Sequence, residues 1–206
     1  YLDDIIIVLD STLNSQSWLL KAQSGSSIAS IAKRLDANLK DEGRVKLVEL
    51  VLANISGRTF LGKERFVEAL AALSSKASSM ELTNRLIEAV LRECRKDEDI
   101  YKTKVLKSLG DILGKLEEEN RFEDVYNIVW PLLDKQANSS KDEDSVSNEE
   151  RNKEKVTLIN LKEVVCETLG KSWPSTKALN SLETQKKYQL IVLKKLGECL
   201  KVNTRP

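Results

Sequence analysis

The side chains able to do chemistry in this chain are three cysteines, a recurring set of lysines and many carboxylates; histidine is absent. Cys94, Cys166 and Cys199 are odd in number, widely spaced and form no CxxC pair. That usage argues against a disulfide framework or a zinc site and fits buried thiols in a reducing compartment. Without histidine, the Ser-His, Cys-His and His-metal arrangements fall away together. The carboxylates lie on charged helical faces, and no strand-loop pattern gathers them into a cleft. No enzyme activity, cofactor or metal is therefore expected.

The lysines are more informative. Three times an aromatic residue is followed three positions later by lysine, as Trp18–Lys21, Phe60–Lys63 and Tyr101–Lys104, at intervals of 42 and 41 residues. One reading is a basic stripe for an acidic partner. The other is a ladder in which each lysine bonds turn carbonyls or an acid of its own or the neighbouring repeat. The string Gly57-Arg58-Thr59-Phe60-Leu61-Gly62-Lys63-Glu64 is the least generic in the chain. Gly57 suits a left-handed position after a helix, and Gly62 permits close backbone approach. An exposed helix start flanked by Arg58 and Lys63 could hold an anion, but the lysine-serine step of a P-loop is missing, so a nucleotide is not expected. The candidate partner contacts are Arg58, Lys63, Lys104, Lys155, Lys186 and Lys187.

What must position these residues is a set of helices. A period near 40–47 residues built from two helices each is the signature of a HEAT or armadillo solenoid. Apolar residues at helical spacing delimit the helices, and the expected fold is an all-α superhelix of about four helix pairs plus one helix. The approximate repeats are 1–38, 41–78, 79–119, 120–173 and a partial 183–206, with each aromatic-x-x-lysine opening the second helix of its pair. Ser24-Gly25-Ser26-Ser27 either lets a neighbouring helix approach or marks a kink. Thr59 is the expected N-cap of the helix carrying Phe66. Ser78 with Glu81, and Asn120 with Glu123, have capping-box spacing. Pro131 should kink its helix. Phe66, Leu70, Leu109, Leu113, Val129, Leu132, Val165 and Leu196 are the expected core.

Residues 138–150, acidic and serine-rich, carry no apolar period and are expected to be a disordered insert cut first by proteases. They also stretch the repeat: Lys155 comes 51 residues after Lys104, with Asn152 in the aromatic slot. Ser140, ahead of Asp142, Glu143 and Asp144, has the context of an acid-directed kinase site. Charge is uneven, with −8 over 117–150 and +7 over 151–206, although 33 Lys+Arg against 32 Asp+Glu leave only +1 overall. No global field favours nucleic acid or an anionic membrane. The aliphatic run Ile5–Leu9 is far short of a membrane span. The start at Tyr1, inside an apolar pattern, leads to the expectation of a section of a longer chain. Its last helix would expose Tyr188, Leu190, Ile191, Leu193 and Leu196, and would fray or self-associate.

Several strings resemble the HEAT-repeat proteasome adaptor/scaffold ("extracellular mutant") family. They are Gly57–Phe60 with Gly62-Lys63-Glu64, Ala89-Val90-Leu91-Arg92-Glu93-Cys94, Arg121-Phe122-Glu123, Leu169-Gly170-Lys171-Ser172-Trp173-Pro174, and Glu183-Thr184-Gln185 with Tyr188. They keep their order over about 57–200; residues 1–56 carry no such string. Phe60 stands where that family commonly has tryptophan. The resemblance implies a place in the C-terminal part of that solenoid. It implies a non-enzymatic adaptor of the 26S proteasome that tethers core and regulatory particles, acts in assembly quality control, and links to endosomal or motor proteins in cytoplasm and nucleus. A karyopherin-like receptor, or another HEAT scaffold unrelated to the proteasome, is the alternative. Its acidic inner faces and Trp/Asn cargo arrays are missing here.

Overall fold

The structure, a computed structural model, describes residues 1–35, 41–74, 79–116, 120–135 and 148–203. Among these there is no strand, and nine helices follow one another: α1 (Leu2–Leu13), α2 (Trp18–Leu35), α3 (Asp41–Ile55), α4 (Glu64–Leu73), α5 (Met80–Cys94), α6 (Asp99–Leu113), α7 (Phe122–Leu133), α8 (Asn148–Ser172) and α9 (Ser181–Asn203). None is long and apolar enough to cross a membrane, among the described residues. The chain divides into two compact units, Tyr1–Lys115 and Leu116–Pro206.

In the first unit the helices form two layers. α1, α3 and α5 pack in succession in one, α2, α4 and α6 in the other, and α1 on α2, α3 on α4 and α5 on α6 join them. Each helix can bury only a stripe, so layering is what gives every stripe a cover. On α4 the stripe is Phe66, Val67, Leu70 and Leu73, all fully buried. Burying side chains of that size contributes roughly 1.5–3 kcal/mol each. The small residues of α2 do not break it. They admit α4, since a Cβ on Gly25 would stand 3.0 Å from the Phe66 ring and 3.1 Å from the Arg65 carbonyl carbon.

Arg44, near the start of α3, donates to the Leu73 carbonyl at the end of α4 over 2.9 Å. Lys115 donates to the Ala71 carbonyl over 2.6 Å, so the last turn of α4 has its exposed acceptors covered from two sides.

In the second unit α7 packs along α8. The α9 helix runs parallel to α7: Glu123 at the start of α7 pairs with Lys187 at 2.7 Å, and Asp134 at its end pairs with Lys195. It therefore stands to α7 as α3 stands to α1, the first helix of a following repeat.

Three cap expectations change. α4 starts at Glu64 with Lys63 at its N-cap, not at Thr59. Gly62 has φ +95°, which no helix can continue through, and so the aromatic-x-x-lysine string precedes this helix, while Trp18 and Tyr101 lie inside theirs. The cap of α5 is Ser79, whose Oγ accepts from the Leu82 amide at 3.3 Å; Ser78 lies outside the described residues. The N-cap of α7 is Arg121, with no side-chain cap. The Asn120 amide instead donates to the Leu179 carbonyl and to Thr184 Oγ1, and Glu123 turns to α9. Pro131 sits in the last turn of α7, which runs on to Leu133.

Of the expected core, Phe66, Leu70, Leu109, Leu113, Val129 and Val165 are buried. Leu132 and Leu196 are only partly covered, the burial on those helices falling to Leu133 and to Tyr188 with Val192. Most of the 138–150 stretch, Ser140 included, lies outside the described residues; its last three residues open α8. Glu149 and Glu150 suit that place, because acids at a helix start oppose the dipole favourably.

Candidate functional site

The buried lysine Lys63 lies at the junction between the α3–α4 and α5–α6 pairs. Gly57 at φ +96° and Gly62 at φ +95° fold residues 57–63 back on themselves, which carries the lysine inward. Its side chain is 0 % exposed. The ammonium donates to the Gly57 carbonyl at 3.0 Å and lies 2.8 Å from the Glu93 carboxylate of α5. Tyr101 of α6 donates its hydroxyl to the same Glu93 oxygen at 2.7 Å, and its ring centre stands 6.0 Å from the ammonium. Lys96 closes the turn from outside by donating to the Gly57 carbonyl at 2.5 Å. One lysine thus ties a loop, two helices and a ring.

Burial pulls Lys63 below the ordinary lysine range, with the Glu93 carboxylate opposing. Burial pushes the Tyr101 hydroxyl up, and its bond to Glu93 adds to that. The neighbouring Cys94 thiol is pushed up to about 12 by burial, so it stays protonated and inert. An alkaline limit follows. In the folded chain Cys94 and Tyr101 hold their protons above the unfolded values of about 8.5 and 10. As pH rises through that window the unfolded state binds fewer protons, and stability falls. Lys63 has the opposite sign, but only between its lowered value and about 10.4. Urea midpoints should therefore drop from pH 9 to pH 11.5, most steeply above about pH 10.5. A flat or rising midpoint would show that the node does not hold these protons.

The other repeat lysines are also occupied. Lys21 lies 5.3 Å from the Trp18 ring centre. Lys104 of α6 reaches back to Glu64 of α4 at 2.5 Å, and this contact, with the glutamate's own amide, outweighs the burial that pushes Glu64 up and holds it below the usual carboxylate range. The aromatic slots meet as well: the Trp18 and Phe60 rings lie tilted against each other with centres 4.7 Å apart. Of the remaining candidate contacts, Lys187 pairs with Glu123, while Arg58, Lys155 and Lys186 are exposed and lie apart from one another along the chain. No group of residues fit for a metal occurs among the described residues.

The strings that carry the family resemblance converge on two nodes. Gly57–Glu64 and Ala89–Cys94 meet at the Lys63–Glu93 pair. In the second unit Phe122 is packed by Trp173 at 5.0 Å and Tyr188 at 5.3 Å between ring centres. There Glu123 accepts from Tyr188 at 2.9 Å, and Gln185 donates to the Pro174 carbonyl at 3.0 Å. Sequence alone joined neither Glu93 nor Tyr101 to Lys63. Their partner is 30 or more residues away, and only the layering of α4, α5 and α6 brings them to it.

The family described as ECM29, C-terminal ARM-like repeats, matches residues 67–205. The chain is 45% identical over 214 aligned residues to the proteasome-associated protein ECM29 homolog of Drosophila melanogaster, covering 100% of this chain and 11% of the relative. It is 36% identical to the proteasome adapter and scaffold protein ECM29 of Homo sapiens, covering 99% of this chain and 11% of that protein. The chain thus spans about a ninth of the length of these relatives. No solved structure matches it. With two thirds of its length matched by the family's repeats and its whole length similar to two of its members, the chain belongs to the ECM29 family.

Proposed function

We propose that this chain is a rigid, non-catalytic section of a proteasome-associated scaffold, which helps to hold core and regulatory particles together and serves in assembly quality control. The observation that carries this reading is the similarity, over the whole chain, to two proteins named for proteasome association. The geometry is consistent with it. Lys63, whose basicity burial shifts down, is fully enclosed, with its ammonium already held by Glu93 and Gly57. Two of the repeat cations, Lys63 and Lys104, join one repeat to the next. Endosomal or motor partners, and residence in both cytoplasm and nucleus, are part of the same proposal.

Partner contact then falls to the exposed cations Arg58, Lys155 and Lys186. Exposed charges at an interface rim act mostly on association rate and salt dependence. Removing this segment from the full-length scaffold should lower the proteasome recovered with it, or change the outline of the complex in electron micrographs. Replacing the three cations by alanine should have a smaller effect, about two- to tenfold in affinity. Unchanged recovery, outline and assembly control on deletion would refute the assignment for this segment.

A further inference from the structure

The turn between α3 and α4 is apolar at its tip, although its repeat is flanked on both sides. The α1–α2 pair packs against one side of that repeat and α5–α6 against the other. The exposure of the turn is therefore not that of an end of the stack. Leu61 is 94 % exposed, more than any other described leucine. Phe60 beside it is half-buried against Trp18, and Arg58 is exposed and pairs with no described residue.

The backbone that presents these side chains is braced from three repeats. Gly57 and Gly62 both take positive φ, and the Lys63 amide donates to the Phe60 carbonyl at 3.0 Å. The Gly57 carbonyl receives two ammonium groups, Lys63 from within the turn and Lys96 from just past α5. The Trp18 ring holds Phe60 from the repeat before. A lone exposed leucine needs no explanation. A leucine on a turn held in this way is different, because a contact ordered beforehand loses little freedom on binding.

We propose that residues 58–61 are a contact tip, with Leu61 as the apolar anchor and Arg58 beside it. The partner is a folded protein surface with a recess, apolar at its floor and bearing a carboxylate on its rim; on the reading given under Proposed function, on which this rests, that surface belongs to the proteasome. Shape selects the recess, since a side chain that projects this far is buried only by entering one. Charge selects the rim. Between Asn54 and Gly62 no acid occurs, so Arg58 supplies the charge that the turn offers, and its complement is a carboxylate. Asp97 and Glu98 follow Lys96 in the next turn, which confines that requirement to the part of the rim near Arg58.

The test is photocrosslinking from the full-length scaffold to purified proteasome, with a photoreactive residue in place of Leu61. Met80 is the control position. It is 71 % exposed and opens α5, whose 15 residues put it about 20 Å from the end that reaches the tip. Position 61 should crosslink to a proteasome subunit and position 80 should not. Leu61→Asp should lower the proteasome recovered about tenfold, as loss of an anchor residue does. It should leave the melting temperature unchanged, because the side chain lies in solvent. Arg58→Glu should lower recovery about threefold, and less as salt screens the charge. A position 61 that crosslinks to nothing, to the scaffold itself, or no more than position 80 would overturn the proposal, as would full recovery with Leu61→Asp. Deleting the whole segment separates the two failures. Recovery lost on deletion while position 61 stays silent removes the tip alone; recovery kept on deletion with position 61 silent removes the tip and the proteasome reading together.

Discussion

Replacing Glu93 with alanine should destabilise the first unit by about 3–5 kcal/mol, the usual cost of removing one member of a buried ion pair. Glu93 is 4 % exposed and Lys63 fully enclosed, so water cannot take the place of the lost carboxylate. The substitution strands two donors at once. The Lys63 ammonium keeps only the Gly57 carbonyl, and the Tyr101 hydroxyl loses the oxygen to which it donates. A unit of this size is stable by about 5–15 kcal/mol in total, so the loss is a large share. Chemical denaturation followed by circular dichroism would measure it. Lys63→Met should be milder, because Glu93 keeps the bond from the Tyr101 hydroxyl. A Glu93→Ala variant within about 1 kcal/mol of the parent would mean that the pair contributes little beyond an uncharged contact.

Gly62→Ala should cost about 3 kcal/mol, from two sources that can be separated. The backbone at φ +95° suits glycine alone, a strain of roughly 1–3 kcal/mol for any other residue. The new Cβ would also stand 2.6 Å from the Cβ of Ala22, so α2 must move away from the turn. Overpacking of that kind costs about 1–3 kcal/mol. Gly57→Ala provides the control: its φ is +96° but nothing lies within 4 Å of the added carbon, so only the backbone part applies. Adding Ala22→Gly to Gly62→Ala should recover the steric part, less about 1 kcal/mol for glycine inside α2. Equal costs at positions 57 and 62 would contradict the close approach.

These two positions also show how far the sequence could be read. The aromatic-x-x-lysine period marks real structural equivalents, since Trp18 and Phe60 touch and Lys104 reaches one repeat back. Gly62 was legible as a site of close approach, but not as a helix breaker, which is why Thr59 looked like a cap. Asn120 and Glu123 have the spacing of a capping box, yet both are taken by α9, some 60 residues on. Local spacing cannot register a competitor that distant. Leu132 and Leu196 fit the helical period as well as Leu133 and Val192 do; which neighbour is covered depends on how α9 lies along α7, and periodicity is blind to that. The lysine readings could not be separated in the sequence either, because burial of Lys63 depends on two glycines and on an acid 30 residues away.

On the reading proposed above, Lys63 and Glu93 build the repeat junction and do not themselves touch a partner. Exchanging both charges for neutral groups of similar size, Lys63→Met with Glu93→Gln, tests it most directly. Neutralising a buried pair together is often close to neutral for stability, and the glutamine oxygen can still accept from Tyr101. Proteasome recovered with the full-length scaffold should be measured for the parent, Glu93→Ala and the double variant. Normal recovery with the double variant, beside reduced recovery with Glu93→Ala, is the predicted result. A double variant that keeps its stability but loses the proteasome would show that the pair itself makes the contact.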